Sequence, residues 1–534
     1  MDLLLGIDLG STSIKTILYD EEGHVAARAS RPMQRFHPNP EHPEWTVWDP
    51  DELWSQTAAA CRDVVSQIAD PAAIKGIATT GMGMDGLPMG EHGERLYPLI
   101  SWHDPRTSPQ FDWWLENVTA AKTFSIGGNP VWAINSALRM LWMKENEPDI
   151  FRNASKWLLI EDYVNYCLSG VFATDESMAS CTMLFDQKQR TWSEEMCRLS
   201  GIPMSLLPPV YPSATRMGEV TSVAAARTGL RAGTPVFLGG HDHICSSLPV
   251  GAFRPGSVLC ITGTWEMIDM VASAPPLDPS LGASGLTTQA HVIPGCSMLW
   301  GGNPAGEVLE WYRREMMIGS SGESDVRIAD VSSACDRDGR VPGRTAVAVP
   351  WDDIIREAAS AKPGCGGLLF LPHLSGSSCP MVDPRSLGSW VGLSSRTTRP
   401  EAIRSLFEGL GYQLLDVIAT MEEGSGRKTS EVIAVGGAIR NKFWMQNKAD
   451  MLGIRVRVPD VEEATVLGAA ILAGIGAGLF ADAEDAFARI QRDSVSYDPD
   501  ENLTRFYQEM FPTYRELYTS VRSVNHRLFD KFQS

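Results

Sequence analysis

Two short apolar runs, residues 3–7 (LLLGI) and 15–19 (KTILY), are separated by the polar stretch Asp8-Leu9-Gly10-Ser11-Thr12-Ser13. Strand-like runs broken by small polar residues predict a β-hairpin. The same pattern returns near the middle, where residues 258–262 (VLCIT) and 265–271 (WEMIDMV) flank Gly263-Thr264. Two such units about 250 residues apart predict two halves of similar build, each opening with a hairpin. The boundary is expected near residues 245–255, which assigns 1–248 to one domain and 249–534 to the other.

Between the strand-like runs lie segments of helical period, and this alternation predicts an α/β fold. Thr398-x-x-Glu401 has the form of a capping box, with Pro400 in the first turn. Beyond it Ile403, Leu406, Phe407, Leu410, Leu414 and Met421 recur at helical spacing, so one face belongs to a core. Residues 432–435 (VIAV) read as a strand ending in Gly436-Gly437, followed by a helix over 443–452. The stretch 318–345, rich in Gly, Ser, Asp and Arg, reads as a surface excursion, and the tail after Asp498 as terminal helices.

Composition narrows the function classes. Hydrophobic residues at 43% and charged residues at 21% exclude extensive disorder, and the chain of 534 residues is long enough for two large domains. A net charge of −19 opposes nucleic acid or an anionic membrane surface as the main partner. It does not oppose an anionic small molecule, which local backbone N–H groups can cradle. The start has no basic region or small-residue cleavage site, and the ten cysteines include no C-x-x-C pair. A cytoplasmic protein with reduced thiols is the expectation. Residues 464–481 (ATVLGAAILAGIGAGLFA) are uncharged over a span-like length but lack aromatic and basic anchors, which favours a buried helix.

The chemistry concentrates at glycine-marked turns. In the first hairpin Gly10 permits the bend, Ser11, Thr12 and Ser13 offer small hydroxyls to phosphate oxygens, Lys15 a cation and Asp8 a carboxylate for Mg2+. An ordinary hairpin with a polar turn accounts for the same residues. The turn Gly263-Thr264 has the same character, and Val435-Gly436-Gly437 before Asn441 would let a flat ring or sugar approach. Asn303-Pro304-Ala305-Gly306-Glu307 leads into a helix bearing Glu310 and Trp311. Finally, Gly239-Gly240-His241-Asp242-His243 places an acid just past an apolar run, where a carboxylate can take a proton from a hydroxyl attacking phosphorus. Asp242 can equally cap the next helix, and His241-x-His243 can be a metal pair, although no second close-spaced ligand set accompanies it.

Taken together, the Asp8–Lys15 hairpin, Gly240-His241-Asp242, Gly263-Thr264, Gly436 to Asn441 and Glu463-Ala464-Thr465-x-Leu467-Gly468 resemble the FGGY carbohydrate kinases, in order over about residues 3–480. The resemblance implies two ribonuclease-H-like domains of the actin/hexokinase type with an interdomain cleft for sugar and ATP. It implies Asp242 as the base and Ser11, Thr12, Ser13, Lys15, Gly263 and Thr264 at the phosphates. It places Asp8 near Mg2+, Gly306 and Glu310 by the nucleoside, and Gly437 and Asn441 at adenosine. Departures are Ala438 for a third glycine and Gly376-Ser377-Ser378-Cys379-Pro380 where many members carry Gly-Glu-Arg-x-Pro.

Gly83-Met84-Asp85-Gly86 and Ile100-Ser101-Trp102 are most similar to the corresponding stretches of the kinases of L-fuculose within this family. That likeness implies Gly83, Asp85, Trp102, His241 and Asp242 around a 6-deoxyketose or a ketopentose. L-rhamnulose, xylulose and a tetrulose stay open, as does a sugar-binding sensor that keeps the fold without the reaction. The implied partners are a small sugar and, as an assembly, a homodimer.

Overall fold

The computed structural model describes residues 1–317, 349–490 and 493–533. The predicted 318–345 excursion lies outside the described residues. Six strands form the first sheet: β1 (Leu3–Leu9), β2 (Ser13–Tyr19), β3 (Val25–Pro32), β4 (Ile74–Gly81), β5 (Arg216–Glu219) and β6 (Pro235–His241), in the order β5-β6-β4-β1-β2-β3. Strands β1, β2 and β3 pair antiparallel, with Asp8 opposite Lys15, and β4 and β6 add in parallel. The predicted first hairpin is this β1–β2 pair.

The second sheet contains β7 (Ser257–Thr262), β8 (Trp265–Ala272), β9 (Thr287–Ala290), β10 (Ser297–Pro304), β11 (Glu431–Val435), β12 (Val456–Pro459) and β13 (Ser494–Tyr497). Its order is β9-β10-β8-β7-β11-β12-β13. The run β10-β8-β7-β11-β12 repeats the run β3-β2-β1-β4-β6, with antiparallel strands first and parallel strands after. Two ribonuclease-H-like halves, each opening on a hairpin, are therefore present as expected. The fold is α/β.

Eight helices matter for the site: α1 (Ser136–Asn146), α2 (Asp242–Cys245), α3 (Gly306–Glu315), α4 (Trp351–Ser360), α5 (Arg399–Ser425), α6 (Lys442–Leu452), α7 (Ala464–Gly476) and α8 (Glu501–Phe532). The capping box at the start of α5 is formed by Thr398 and Glu401, and its predicted core residues are all buried. The tail is one continuous helix, α8, rather than several. Pro512 sits inside it without ending it, because Tyr507, Tyr514, Leu517 and Tyr518 anchor both sides of the proline in one cluster.

Helix α7 is the uncharged segment, and it is buried against the first sheet. Small residues make this approach possible: a Cβ on Gly6 would lie 2.3 Å from the Val466 carbonyl oxygen, and one on Gly468 would lie 2.0 Å from that of Cys245. No helix among the described residues is long and apolar enough to cross a membrane.

Candidate active site

Strand β6 ends at His241 and α2 begins at Asp242, so the strand delivers both residues to one point. Asp242 is the first residue of α2 and His241 its N-cap, so the expected capping role does not fall to Asp242. Asp242 Oδ1 accepts the His243 backbone N–H at 2.6 Å and faces His241 Nε2 at 3.6 Å. Its side chain keeps 37% of its surface exposed, although His241 and His243 beside it are buried.

Beside it sits a cluster of buried polar side chains. A Cβ on Gly83 would lie 2.8 Å from His241 Nε2 and 2.5 Å from Cys181 Sγ, so only glycine admits this contact. Two residues on, Asp85 is fully buried; Trp48 Nε1 donates to its Oδ2 at 2.5 Å, and Arg139 Nη1 lies 3.6 Å from its Oδ1. Burial pushes the Asp85 carboxyl up to about 6, partly offset by the Arg139 charge and the Trp48 hydrogen bond. Arg139, also fully buried, donates to the carbonyl oxygens of Met84 and, at 2.9 Å, Ser101. It thereby ties the Gly83–Asp85 and Ser101–Trp102 segments together from α1. Trp102 is 37% exposed and its ring lies against His103, with ring centroids 3.7 Å apart.

The first hairpin presents Ser11, Thr12 and Ser13 at its turn, closed by a Gly10 N–H to Ser13 carbonyl bond of 3.1 Å. Lys15 is not a free cation: its Nζ lies 2.6 Å from Glu463 Oε2, just before α7. Asp8 is buried, and burial together with the nearby Asp242 charge raises its carboxyl to about 7 against the pull of Lys15.

On the other flank a cavity of about 1120 Å³ is lined by Gly263, Thr264, Gly306, Glu310, Gly437 and Asn441, among others. The four glycine-marked turns thus separate: three share this cavity, and Asp8 and Ser11–Lys15 lie outside its lining. The Gly263-Thr264 turn is locked to the start of α3, because Gly306 N–H donates to the Gly263 carbonyl at 3.0 Å and Glu307 N–H to that of Thr264 at 3.2 Å. Behind the turn, the fully buried Lys448 of α6 contacts Glu266 and donates to Thr262 Oγ1 at 2.8 Å. The Asn441 side-chain oxygen accepts Trp444 N–H at 3.0 Å as the cap of α6, which leaves its NH₂ available to a ligand. Glu310 is held by Arg313 at 2.6 Å. Trp311 and Trp351 add aromatic walls, and Arg314 and Arg440 cations.

The His-x-His metal reading fails on geometry. His243 Nδ1 lies 2.9 Å from Asp269 Oδ2, and its Nε2 lies 3.1 Å from His241 Nδ1, so the two rings face each other rather than a shared ion. The one group of three candidate ligands among the described residues is Asp20, Glu22 and His24, elsewhere on the surface. Sequence reasoning missed Trp48, Arg139, Cys181, Asp269, Gln289 and Lys448. Each is a buried polar partner from a distant part of the chain and carries no local pattern.

Comparison with known proteins points the same way as this layout. Descriptions of the N-terminal and C-terminal domains of the FGGY family of carbohydrate kinases match residues 3–249 and 258–477. The chain is 32% identical over 496 residues to the L-fuculokinase of Escherichia coli, covering 92% of this chain and 95% of that one. It is 28% identical over 535 residues to the xylulose kinase of Bacillus subtilis, covering 99% of each. The crystal structure of xylulose kinase from Rhodospirillum rubrum superposes with a TM-score of 0.85 at 26% identity, over 98% of this chain and 100% of that one. With both domains matched across most of its length, and with an acid at a strand end beside a buried polar cluster, this chain belongs to the FGGY family of carbohydrate kinases.

Proposed function

We propose that this carbohydrate kinase transfers the γ-phosphoryl group of ATP to a hydroxyl of a ketose, a 6-deoxyketose of the L-fuculose kind or a ketopentose, with Asp242 as general base. The observation that carries the reading is the placement of Asp242: a carboxylate partly open to solvent at a strand end, with Oδ1 engaged and no hydrogen bond to Oδ2 among the described residues, beside His241, which stands against Gly83 two residues before the buried Asp85–Arg139 pair. In this reading Oδ2 takes the proton of the sugar hydroxyl as its oxygen attacks the γ-phosphorus. The bond from that phosphorus to the β-γ bridging oxygen breaks, and ADP leaves with the electron pair.

Gly83, Asp85, Trp102 and His241 surround the sugar in this proposal. The L-fuculokinase relative supports a ketose of that kind, and the dense polar lining suits a polyol chain held in one orientation. Gly263, Thr264, Ser11, Thr12 and Ser13 meet the phosphates, while Gly306, Glu310, Gly437 and Asn441 receive the nucleoside. Lys15 reaches a phosphate only by loosening its contact with Glu463. Asp8 suits Mg2+, because its carboxylate is buried and opposed by Asp242, a repulsion that a divalent cation relieves. Bound there, the ion would offset phosphate charge.

The test is ADP release with Mg-ATP over L-fuculose, L-rhamnulose, xylulose, ribulose, erythrulose and glycerol. Strong turnover of one ketose, lowered roughly 10²–10⁴-fold in kcat by Asp242→Asn with ATP binding retained, is expected. Near-normal turnover by that variant overturns the base assignment. Silence on every sugar, with ATP still bound, favours a sugar-binding sensor.

A further inference from the structure

Behind Asp242 and His241 lie two side chains, His243 and Asp269, that the reaction as proposed does not use. Asp269 sits on β8 of the second sheet, completely buried, with Oδ2 2.9 Å from His243 Nδ1. His243 Nε2 lies 3.1 Å from His241 Nδ1, and His241 Nε2 faces Asp242 Oδ1 at 3.6 Å. Gln289 Oε1 stands beside both rings, 3.2 Å from His243 Nε2 and 3.4 Å from His241 Nδ1. Its orientation is set by its own NH₂, which donates to Cys181 Sγ at 3.0 Å. The chain therefore runs from a strand of one half, through two imidazoles, to the acid at the strand end of the other.

The placement of protons along it follows from the partners. A carboxylate accepts and never donates, so His243 carries a proton on Nδ1. Two arrangements remain for the facing nitrogens. In the first, both rings are neutral, His241 is protonated on Nδ1, and its bare Nε2 lone pair is turned toward the Asp242 carboxylate. In the second, His243 is doubly protonated and donates from Nε2, His241 accepts on Nδ1, and the His241 proton sits on Nε2. Along the line Asp269–His243–His241–Asp242 only the second gives every facing pair a donor and an acceptor, and the His243 Nε2–H also meets Gln289 Oε1, as the nearer of that oxygen's two ring contacts. It also places the positive ring between two carboxylates, Asp269 and Asp242. Burial opposes a charged His243, but Asp269, together with Asp242 and the Gln289 hydrogen bond, outweighs it and holds the ring above its ordinary pKa; burial and the His243 charge push His241 down to about 4 and keep it neutral. His291, the other imidazole whose charge would oppose His243, is itself pushed down to about 3 by burial and stays neutral.

We propose that Asp269 and His243 are positioning residues for phosphoryl transfer: they fix His241 as the Nε2–H tautomer, which donates toward Asp242 Oδ1 and the sugar and leaves Oδ2 as the proton-accepting oxygen. The kinetic part rests on the Asp242 reading; the tautomer assignment does not. Because Asp269 belongs to the second sheet, the second half of the chain helps set the base of the first.

The experiment is ¹⁵N NMR of the histidine side chains in the intact protein near neutral pH, with His241→Gln and His243→Gln used to assign the signals. Expected are a His243 ring protonated on both nitrogens and a His241 ring protonated on Nε2 alone. A His241 proton on Nδ1 overturns the proposal without any variant being made. Asp269→Asn should return His243 to the neutral form, shift the His241 proton between its nitrogens, and lower kcat roughly 10–100-fold, as loss of an outer-shell partner does. KM for ATP should change less than about twofold. Asp269→Glu, which keeps a carboxylate, should recover part of the rate and the wild-type ring signals. Unchanged ring signals in Asp269→Asn overturn the assignment. Expected ring signals together with normal turnover in Asp242→Asn would retire the base reading and leave the tautomer chain standing.

Discussion

Around Asp85 the protein presents side chains; around Gly263, Gly306 and Gly437 it presents backbone. The first is a buried cluster, with Asp85 and Arg139 both without solvent exposure and held by the Trp48 indole and by the carbonyls of Met84 and Ser101. The second is a cavity of about 1120 Å³ whose glycines leave main chain accessible. Under the proposed assignment of sugar to the first flank and ATP to the second, the contrast follows from what each must distinguish. Sugars differ in the placement of single hydroxyls, which fixed buried polar groups discriminate strongly because a mismatch leaves one unpaired. A triphosphate offers many equivalent oxygens, for which small residues and N–H groups suffice. Rigidity belongs to the first flank and room to the second.

Substitutions can sharpen or break that contrast. Arg139→Met leaves the Asp85 carboxylate buried without its cation, and loss of one partner of a buried pair costs about 3–5 kcal/mol. A urea melt showing less than about 1 kcal/mol would mean that the pocket is wetter than its burial implies. The pH dependence comes next. Asp85 titrates at about 6 when folded against an ordinary 3.8, so as pH rises the unfolded chain releases this proton first and the folded state holds more protons through that window. Stability from this group therefore falls between about pH 4 and 6 and levels off above. Asp85→Asn has no such slope and should gain roughly 1–3 kcal/mol on the wild type from pH 4 to 7, at about 1.4 kcal/mol per pKa unit. Parallel stability profiles for the two proteins would contradict it.

Gly306→Ala probes the other flank. Its Cβ would sit 2.4 Å from the Gly263 carbonyl oxygen, so the Gly263-Thr264 turn must shift. Overpacking of this kind costs about 1–3 kcal/mol, and if that cost falls on the nucleotide site ATP KM should rise roughly 5- to 150-fold. Sugar KM should stay within about twofold of the wild type. An equal rise in both constants would show that the flanks are mechanically one.

How much of this the sequence disclosed depended on distance along the chain. Hairpin turns, the Thr398–Glu401 capping box and the small-residue helix over 464–476 were legible because their causes lie within a few residues of each other. Asp242, Asp85 and Gly83 were singled out through family likeness. Arg139, Trp48, Lys448 and Asp269 were not. Lys448 reaches Thr262 across 186 positions and Arg139 reaches Met84 across 55, and neither contact imposes a period or a composition that marks it beforehand. Lys15 taught the converse: its place in the motif was readable, but its engagement by Glu463, 448 residues away, was not.

Helix α7 has a consequence for how the protein is made. It covers the first sheet, packing with Leu4, Ile17, Ala78 and Phe237, yet it is encoded more than 220 residues after β6 completes that sheet. At about 5–20 residues per second, a nascent chain carries that apolar surface uncovered for roughly 10–50 s before its lid emerges. The early half is thus expected to need protection from aggregation until the late half arrives, and a message cut short between the two should yield an aggregating fragment rather than a smaller enzyme.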